Sequence, residues 1–324
     1  MNFFCTYFDK GFIRRGLALF ESLQEHCGDF RLYALCFDDC TLEALKKYGS
    51  NRLHPVSLEE LLQADKQLAE VRSNRNTVEF YFTTTPALPL YLMNQHSEID
   101  YITYLDADLF FYNSPNEIFA EIGSASITII EHRYAAHLKG YEKNGIYNVS
   151  WVGFRRDVNG LNALKWWREK CLDWCYDRHE DGKYADQKYL DDWPERFSNV
   201  HVIRHLGANL APWNLSSHRL SSDAGTIKVE GYPLIFFHFH GFRKILPNVY
   251  DPNLSSYGVK LTEIIRTKIY QPYIEGLESF RDYHPLEYRL RGNGIRLWIK
   301  KIRCYFQLCY KSIKGQLITS QGNR

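Results

Sequence analysis

Strand-like and helix-like patterns alternate from the first residues of this chain. Residues 2–8 form an apolar run typical of a buried strand, and residues 11–26 carry apolar side chains at helical spacing. Residues 30–37 and 41–48 repeat the same pair. Strands that are joined through helices pair in parallel with right-handed crossovers. The alternation therefore predicts an α/β fold, with a mixed, mainly parallel sheet flanked by helices.

The same patterns continue along the chain. They predict further helices at 58–72, 77–94 and 161–175, and further strands at 102–111, 125–131, 147–155, 200–205 and 234–240. Pro86 and Pro89 are expected to start or kink a helix within 77–94. The strand at 234–240 is expected to be the last of the sheet. After about residue 250 the pattern changes to turns rich in Pro and Asn, followed by helices. We expect a sheet-based domain over 1–250 and a C-terminal helical region over 251–324.

Two acids stand in the apolar run at 102–111, which reads Ile-Thr-Tyr-Leu-Asp-Ala-Asp-Leu-Phe-Phe. Because side chains alternate along a strand, Asp106 and Asp108 are expected on one face, at the sheet edge where open α/β folds bind ligands. Carboxylate oxygens suit Mg²⁺ or Mn²⁺, and such an ion can bridge to a diphosphate. The alternative is a loop that carries two solvated acids, since Asp-x-Asp is a short and common pattern.

A second polar group follows the apolar run near residue 236. Residues 236–244 read Phe-Phe-His-Phe-His-Gly-Phe-Arg-Lys. His238 can supply an imidazole ligand to an ion that carboxylates already hold. Gly241 would let the backbone approach a phosphate, and Lys244 or Arg243 could neutralise that phosphate. The alternative is that His238 and His240 are strand-end residues with local hydrogen bonds.

Charge and cysteine content exclude several classes of protein. The net charge is +2, so the overall charge does not favour binding to nucleic acid. Eight cysteines without a CxxC pair indicate neither a disulfide scaffold nor a zinc site. The N-terminus lacks a basic segment followed by a long apolar one, and no run has the length of a membrane span. We therefore expect a cytoplasmic protein.

The segment at 295–314 predicts a basic amphipathic helix. Apolar residues recur at helical spacing on one face, at Ile295, Trp298, Ile299, Ile302, Tyr305, Phe306, Cys309 and Ile313. Cationic and polar residues occupy the other face, which carries no acid. This pattern is typical of a helix lying on an anionic membrane surface, which predicts a peripheral protein on the inner face of the cell membrane. The alternative is a helix docked on the sheet-based domain with a solvated basic face.

Four motifs occur in order: Leu-Asp-Ala-Asp-Leu at 105–109, Tyr-Asn-Val-Ser-Trp-Val-Gly-Phe at 147–154, Tyr-Ala-Asp-Gln-Lys-Tyr-Leu at 184–190 and His-Phe-His-Gly-Phe-Arg-Lys at 238–244. Together they resemble the GT-A nucleotide-sugar glycosyltransferases. They are most similar to glycosyltransferase family 8, which includes glycogenin and bacterial lipopolysaccharide galactosyl- and glucosyltransferases. The resemblance covers about the first 250 residues.

The resemblance implies a metal and diphosphate site. Asp106, Asp108 and His238 would hold Mn²⁺ or Mg²⁺, with Asp106 also close to the donor ribose. Lys244 would contact the diphosphate, beside the backbone at Gly241.

The resemblance also implies a donor-sugar site. Asn148, Asp186 and Gln187 would contact the sugar, with Gln187 near the anomeric carbon. Tyr7 would stack on a uracil, which favours a UDP-sugar donor. Asp186 has an alternative role as a helix cap, because helical spacing follows it. Trp213, in an aromatic loop, is either part of an acceptor platform or a buried structural side chain.

The expected function is therefore metal-dependent and retaining transfer of a sugar to a glycolipid or lipopolysaccharide-type acceptor. Two departures from the family pattern leave the donor sugar open, since Ile245 and Leu246 replace the usual Pro-Trp and Ser150 replaces a common glycine. One alternative is a sugar-nucleotide-binding protein with a decayed catalytic centre, although all three metal ligands are present. Another is a sugar-1-phosphate nucleotidyltransferase, but residues 8–12 are poor in the glycine that its signature loop needs.

Overall fold

The computed structural model describes residues 1–223, 225–283, 310–312 and 314–319. The first eight strands along the chain are β1 (Asn2–Phe8), β2 (Phe30–Cys36), β3 (Leu53–Ser57), β4 (Tyr101–Leu105), β5 (Leu109–Phe111), β6 (Ile127–Glu131), β7 (Tyr147–Arg155) and β8 (Val200–Ile203). The later strands are β9 (Leu220–Asp223), β10 (Thr226–Val229), β11 (Tyr232–Pro233), β12 (Phe236–His238), β13 (Arg243–Leu246), β14 (Val249–Asp251) and β15 (Ile318–Thr319).

The α-helices are α1 (Ile13–His26), α2 (Asp39–Tyr48), α3 (Leu58–Ala64), α4 (Lys66–Val71), α5 (Thr77–Thr84), α6 (Ala87–Gln95), α7 (Asn116–Ile122), α8 (Val158–Asp173), α9 (Trp193–Arg196) and α10 (Gln271–Ser279). A π-helical turn, Ile265–Tyr270, leads into α10. Short 3₁₀ helices include Ala136–Asn144 and Gln187–Leu190.

The main sheet has seven strands in the order β3-β2-β1-β4-β7-β6-β8. The first four are parallel, β7 runs antiparallel to both β4 and β6, and β6 and β8 are parallel. The predicted α/β class with a mixed, mainly parallel sheet flanked by helices is confirmed. Strand β3 was not predicted, because its five residues include Pro55, a residue that the interior of a sheet excludes. As the edge strand, β3 tolerates the proline.

The predicted single strand at 102–111 is wrong. Strand β4 ends at Leu105, a turn holds both acids, and β5 begins at Leu109. The Leu109 N–H donates to the Asp106 carbonyl (3.2 Å), which closes the turn and changes the direction of the chain. Strand β5 then pairs antiparallel with β12, and the two form a separate small sheet. The strand predicted at 234–240 is thus not part of the main sheet.

Two predicted helices are each divided. The helix expected at 58–72 breaks at Asp65, whose side chain accepts a hydrogen bond from Leu68 N–H (2.9 Å) and so begins α4. The helix expected at 77–94 breaks before α6 at Pro86, since proline has no N–H to donate within a helix. The division does not move the start of α5, which is fixed by reciprocal hydrogen bonds between Asn76 and Glu79.

Apolar side chains pack on both faces of the main sheet, as alternation along the strands requires. In β1, Phe3 and Cys5 belong to one cluster, whereas Phe4 belongs to the cluster on the opposite face. A third cluster lies between α1, α10 and the residues that follow β12. It includes Phe239, which stacks on Tyr273 with ring centroids 3.7 Å apart. The small sheet of β5 and β12 is therefore fixed against α1 and α10.

The C-terminal part of the chain joins the fold through β15, which pairs with β14. Lys311 contacts the Asp251 carboxylate (2.7 Å) from the same segment. Most of the predicted amphipathic helix at 295–314 lies outside the described residues, and the domain boundary at residue 250 stays a prediction. Over the part of the chain that the structure describes, no helix has both the length and the apolar character needed to cross a bilayer.

Candidate active site and metal centre

The turn after β4 and the end of β12 bring the three predicted metal ligands together. His238 Nε2 lies 3.1 Å from Asp108 Oδ1 and 3.8 Å from Asp106 Oδ2. One ligand atom from each residue lies within 4.8 Å of the others. The pairing of β5 with β12 sets this arrangement, since Leu109 lies opposite His238 and the Phe239 N–H donates to the Asp108 carbonyl (3.0 Å). We refer to Asp106, Asp108 and His238 as the acid–histidine triad.

The triad fits a divalent cation by its chemistry. Two carboxylates and one imidazole are a donor set that suits Mn²⁺ or Mg²⁺. Burial raises the pKa of Asp106 to about 6. Burial acts in the same direction on Asp108, but the charge and hydrogen bond of His238, together with the charges of Arg15 and His240, lower the pKa of Asp108. Burial alone would lower the pKa of His238, but the charge and hydrogen bond of Asp108 and the charge of Asp106 together raise it. A cation held by the two carboxylates and the neutral imidazole would displace any proton that these groups carry.

A cleft with a volume of about 370 Å³ lies beside the triad. The structure brings the predicted donor-sugar residues into its lining, with Asn148 6% exposed and Asp186 4% exposed. Gln187 and Tyr7 also line the cleft. The four predicted contacts to sugar and base therefore share one cavity with the metal ligands, and their individual roles stay predictions.

Asn148 is held by hydrogen bonds on both sides of its amide. Its Oδ1 accepts from the Ser150 N–H (3.3 Å), and its Nδ2 donates to His132 Nε2 (3.0 Å). The other ring nitrogen of His132 lies 3.2 Å from the Ile146 carbonyl, which requires a proton on Nδ1. Burial lowers the pKa of His132 to about 3, in agreement with a neutral ring. The amide of Asn148 therefore has one fixed orientation.

The segment from Ala185 to Gln187 is fixed by two hydrogen bonds from different parts of the fold. The indole N–H of Trp167 donates to the Asp186 carbonyl (2.9 Å), and Gln187 Nε2 donates to the Asn144 carbonyl (2.9 Å). Gly145 permits this contact, because a Cβ there would lie 3.2 Å from Gln187 Cγ and the residue has a φ of +141°.

Asp186 does not act as a helix cap. It stands at the N-cap position of the 3₁₀ helix Gln187–Leu190, but its side chain makes no capping hydrogen bond. Its carboxyl lines the cleft instead, and burial raises its pKa to about 7, with a smaller contribution from the Asp106 charge. The structure therefore favours the cleft over the capping alternative for this side chain.

Tyr7 is coupled to the triad through a second tyrosine. Its hydroxyl is 3.1 Å from Thr85 Oγ1, and its ring centroid is 5.4 Å from that of Tyr104. The Tyr104 hydroxyl donates to Asp106 Oδ1 (3.1 Å). Tyr7 lies within β1 itself, at the carboxyl end of the strand.

The two predicted phosphate contacts lie outside the lining of the cleft. Lys244 Nζ forms an ion pair with Glu278 (2.9 Å). Gly241 has a φ of +71°, and a Cβ there would lie 2.2 Å from Asn253 Nδ2, so the turn itself requires glycine. Contact of either residue with a phosphate stays a prediction. His240 also lines the cleft.

Aromatic residues that sequence reasoning missed form a wall of the cleft. The ring of Tyr134 stacks on His132 with centroids 4.6 Å apart, and Tyr141 stacks on Tyr134 at 5.9 Å. Trp213 is buried, donates to the His132 carbonyl (2.8 Å) and meets the His238 ring edge-on at 5.1 Å. Trp213 is thus both a structural side chain and part of the lining. The irregular segment between β6 and β7, which carries the two tyrosines, has no periodicity that would have identified them.

Comparison with known proteins places the chain in a family. The uncharacterized protein YfnD of Bacillus subtilis (strain 168) is 33% identical over 282 residues, which cover 86% of this chain and 89% of YfnD. The chain belongs to the YfnD family. No family model matches it.

Solved structures of glycosyltransferases share the fold. The bifunctional glycosyltransferase WbbM matches with a TM-score of 0.52 at 11% identity, over 87% of this chain and 51% of that chain. The glycosyltransferase GlyE of Streptococcus pneumoniae TIGR4 matches with a TM-score of 0.50 at 13% identity, over 89% of this chain and 66% of that chain. The chain has the GT-A glycosyltransferase fold.

Proposed function

We propose that the chain is a glycosyltransferase that uses a divalent cation to transfer a sugar from a nucleoside-diphosphate sugar to a saccharide or glycolipid acceptor. The observation that carries this proposal is the acid–histidine triad, whose ligand atoms lie within 4.8 Å of one another beside the cleft. A GT-A scaffold alone does not imply activity, since one fold serves many functions. The triad and the buried polar groups of the same cleft are the features that support enzymatic activity.

The chemistry of transfer matches these groups. The leaving diphosphate gains negative charge as the anomeric C–O bond breaks, and a bound Mn²⁺ or Mg²⁺ would oppose that charge. The sugar becomes electron-deficient, so the carboxyl of Asp186 and the amide of Gln187 are suited to lie beside it. Asn148, which His132 and Ser150 hold in place, offers a fixed amide to a sugar hydroxyl. The aromatic wall offers apolar surface to an acceptor ring.

Finer features of the proposal rest on the resemblance to family 8. That resemblance supports a UDP-sugar donor stacked on Tyr7, retention of anomeric configuration, and a contact between Lys244 and the diphosphate. A lipopolysaccharide-type acceptor and action at the inner face of the membrane depend further on the basic segment at 295–314. A basic amphipathic helix would bring the cleft close to lipid-linked acceptors.

The test is a thermal-shift panel of UDP-, GDP-, CMP- and dTDP-sugars with and without Mn²⁺. A ligand that binds only the folded state raises the melting temperature. A Mn²⁺-dependent shift with one sugar nucleotide, followed by turnover of that donor, is the expected result. Asp108→Asn serves as the control, since it removes a ligand of the triad. Absence of any shift would contradict the proposal, and a shift without turnover on any acceptor would favour a binding protein.

A further inference from the structure

Arg15 is a buried cation beside the triad that the proposed chemistry has not used. It lies near the start of α1 and is 9% exposed. Its Nη2 donates to the Phe242 carbonyl (2.5 Å), and its guanidinium lies over the Phe12 ring at 4.4 Å. Within the described residues, its buried Nε has no hydrogen-bond partner. An unpaired buried donor is costly, so an arginine placed there needs a reason beyond packing.

The carboxylate that Arg15 approaches is a ligand of the triad. Its Nη1 lies 4.0 Å from Asp108 Oδ2. The neighbouring residue Arg14 is different, since it pairs with Glu278 (3.2 Å). Lys244 meets the same oxygen of Glu278, as does the Tyr250 hydroxyl. Arg14 and Lys244 thus share one carboxylate, that of Glu278, which lies outside the triad. The carboxylate that Arg15 approaches is instead a member of the triad.

The charge of Arg15 changes what the loaded triad can bind. Two ionised carboxylates balance a divalent cation, and a ligating imidazole is neutral. Arginine remains protonated in proteins. The loaded triad together with Arg15 therefore carries one net positive charge, whereas without Arg15 it would be neutral. A net positive centre favours an anionic ligand such as a diphosphate.

Arg15 also holds the turn that follows β12. This turn runs from Phe239 to Phe242 and is closed by a hydrogen bond from the Phe242 N–H to the Phe239 carbonyl (3.1 Å). One end is attached to Asp108 through the Phe239 N–H, and the other to Arg15 through the Phe242 carbonyl. The guanidinium therefore fixes the turn relative to the triad.

We propose that Arg15 is a positioning residue for the diphosphate of the donor, which it favours through its charge behind Asp108 and through its hold on the turn from Phe239 to Phe242. This inference rests on the proposed function, because it requires a cation on the triad. It assigns to Arg15, which lies behind the site, a part of the electrostatic role for which the sequence offered Lys244 or Arg243.

The test separates binding of the cation from binding of the anion in the full chain. Binding of Mn²⁺ alone is followed by electron paramagnetic resonance of the free ion, and binding of micromolar inorganic pyrophosphate in the presence of Mn²⁺ by calorimetry. We expect Arg15→Met to weaken pyrophosphate binding about tenfold or more. A factor of ten represents ~1.4 kcal/mol, and the loss of a unit charge beside a partly buried anion site is worth at least that much. Mn²⁺ affinity should stay equal or increase. Arg15→Lys, which keeps the charge, should recover part of the loss.

Arg14→Met is the matched control, since it removes an adjacent buried arginine from the same helix. Equal pyrophosphate affinity in Arg15→Met and Arg14→Met would overturn the inference. So would an equal loss of Mn²⁺ and pyrophosphate affinity, which would mean that Arg15 only holds Asp108. If Arg15→Met does not fold, Arg15→Lys and Arg14→Met decide, because Arg15→Lys should bind pyrophosphate more weakly than the control. A wild-type chain that binds no Mn²⁺ would reject the proposed function as well, whereas loss of the Arg15 effect alone leaves it standing.

Discussion

Replacing Asp186 with asparagine should change how the stability of the protein depends on pH. The Asp186 carboxyl is 4% exposed, and burial raises its pKa to about 7. Asparagine has nearly the same shape and cannot ionise. The substitution therefore removes one titration from the folded state while leaving the packing of the cleft nearly unchanged.

The sign and size of the effect follow from the difference between folded and unfolded pKa. The unfolded value for aspartate is about 3.9, so the folded state favours the neutral form by about 3 pH units, or about 4 kcal/mol. A raised folded pKa gives stability that is complete below the unfolded pKa and is lost as the pH rises through the folded pKa. Wild type should therefore lose stability relative to Asp186→Asn between about pH 4 and pH 7. An assay from pH 5 to pH 8 covers about two pH units of this range, from pH 5 to pH 7. The corresponding change in the free energy of unfolding, relative to Asp186→Asn, is about 3 kcal/mol.

The assay is urea denaturation of both proteins across pH 5 to 8, without added metal or nucleotide. Asp29→Asn is the control, because Asp29 is exposed on the surface. The difference in free energy of unfolding between Asp186→Asn and wild type should grow in favour of the variant as pH rises, while the control difference stays flat. A difference for Asp186→Asn that does not vary with pH would show that the carboxyl ionises freely in the folded protein, and the account of its burial would be refuted.

Three further substitutions test other parts of the structure. Asp108→Asn should abolish the Mn²⁺-dependent thermal shift and turnover while the fold stays intact, and normal activity in this variant would remove the triad from the mechanism. Gly241→Ala should lower stability by about 1–2 kcal/mol and weaken Mn²⁺ binding, since a Cβ would lie 2.2 Å from Asn253 Nδ2 at a φ of +71°; an unchanged urea midpoint would contradict the required close approach. Trp151→Ala should cost about 3–5 kcal/mol in urea denaturation, because the indole is fully buried and stacks on Phe236; a loss below 1 kcal/mol would mean that the core collapses around the cavity.

The sequence predicted the fold where local pattern and tertiary context agree. The bounds of β1 and β7 match the predicted ranges, since each is a long, mainly apolar run with a charged residue at its carboxyl end. The prediction that 234–240 is a strand of the main sheet was wrong, because β12 pairs with β5 instead. Strand β5 exists as a separate strand only because the chain turns at Asp106. Edge strand β3 failed because its proline masks the strand pattern. Long-range pairing and edge positions are not encoded in local periodicity.

The site was predictable to the extent that it depends on motifs. Asp106, Asp108 and His238 were recognised from residue type and order, and the structure places them in one cluster. Arg15 was not recognised, because the direction of a helical side chain depends on how the helix packs. Lys244 was recognised from its motif, but the motif does not reveal that the side chain pairs with Glu278. Motifs identify candidate chemistry, whereas charge partners come only from the assembled fold.

The pairing of β5 with β12 has a consequence for the order of events during synthesis. Asp106 and Asp108 leave the ribosome long before His238, and the small sheet that joins them has β12 as its second strand. The N-terminal strands can pair with their sequence neighbours early, but the cation centre cannot form until β12 has been made and has closed this distant contact. Cation binding would then stabilise only chains in which that closure is complete. The number of Mn²⁺ ions bound per chain at saturation would therefore measure the fraction of chains that have finished folding, whereas the affinity would measure the site.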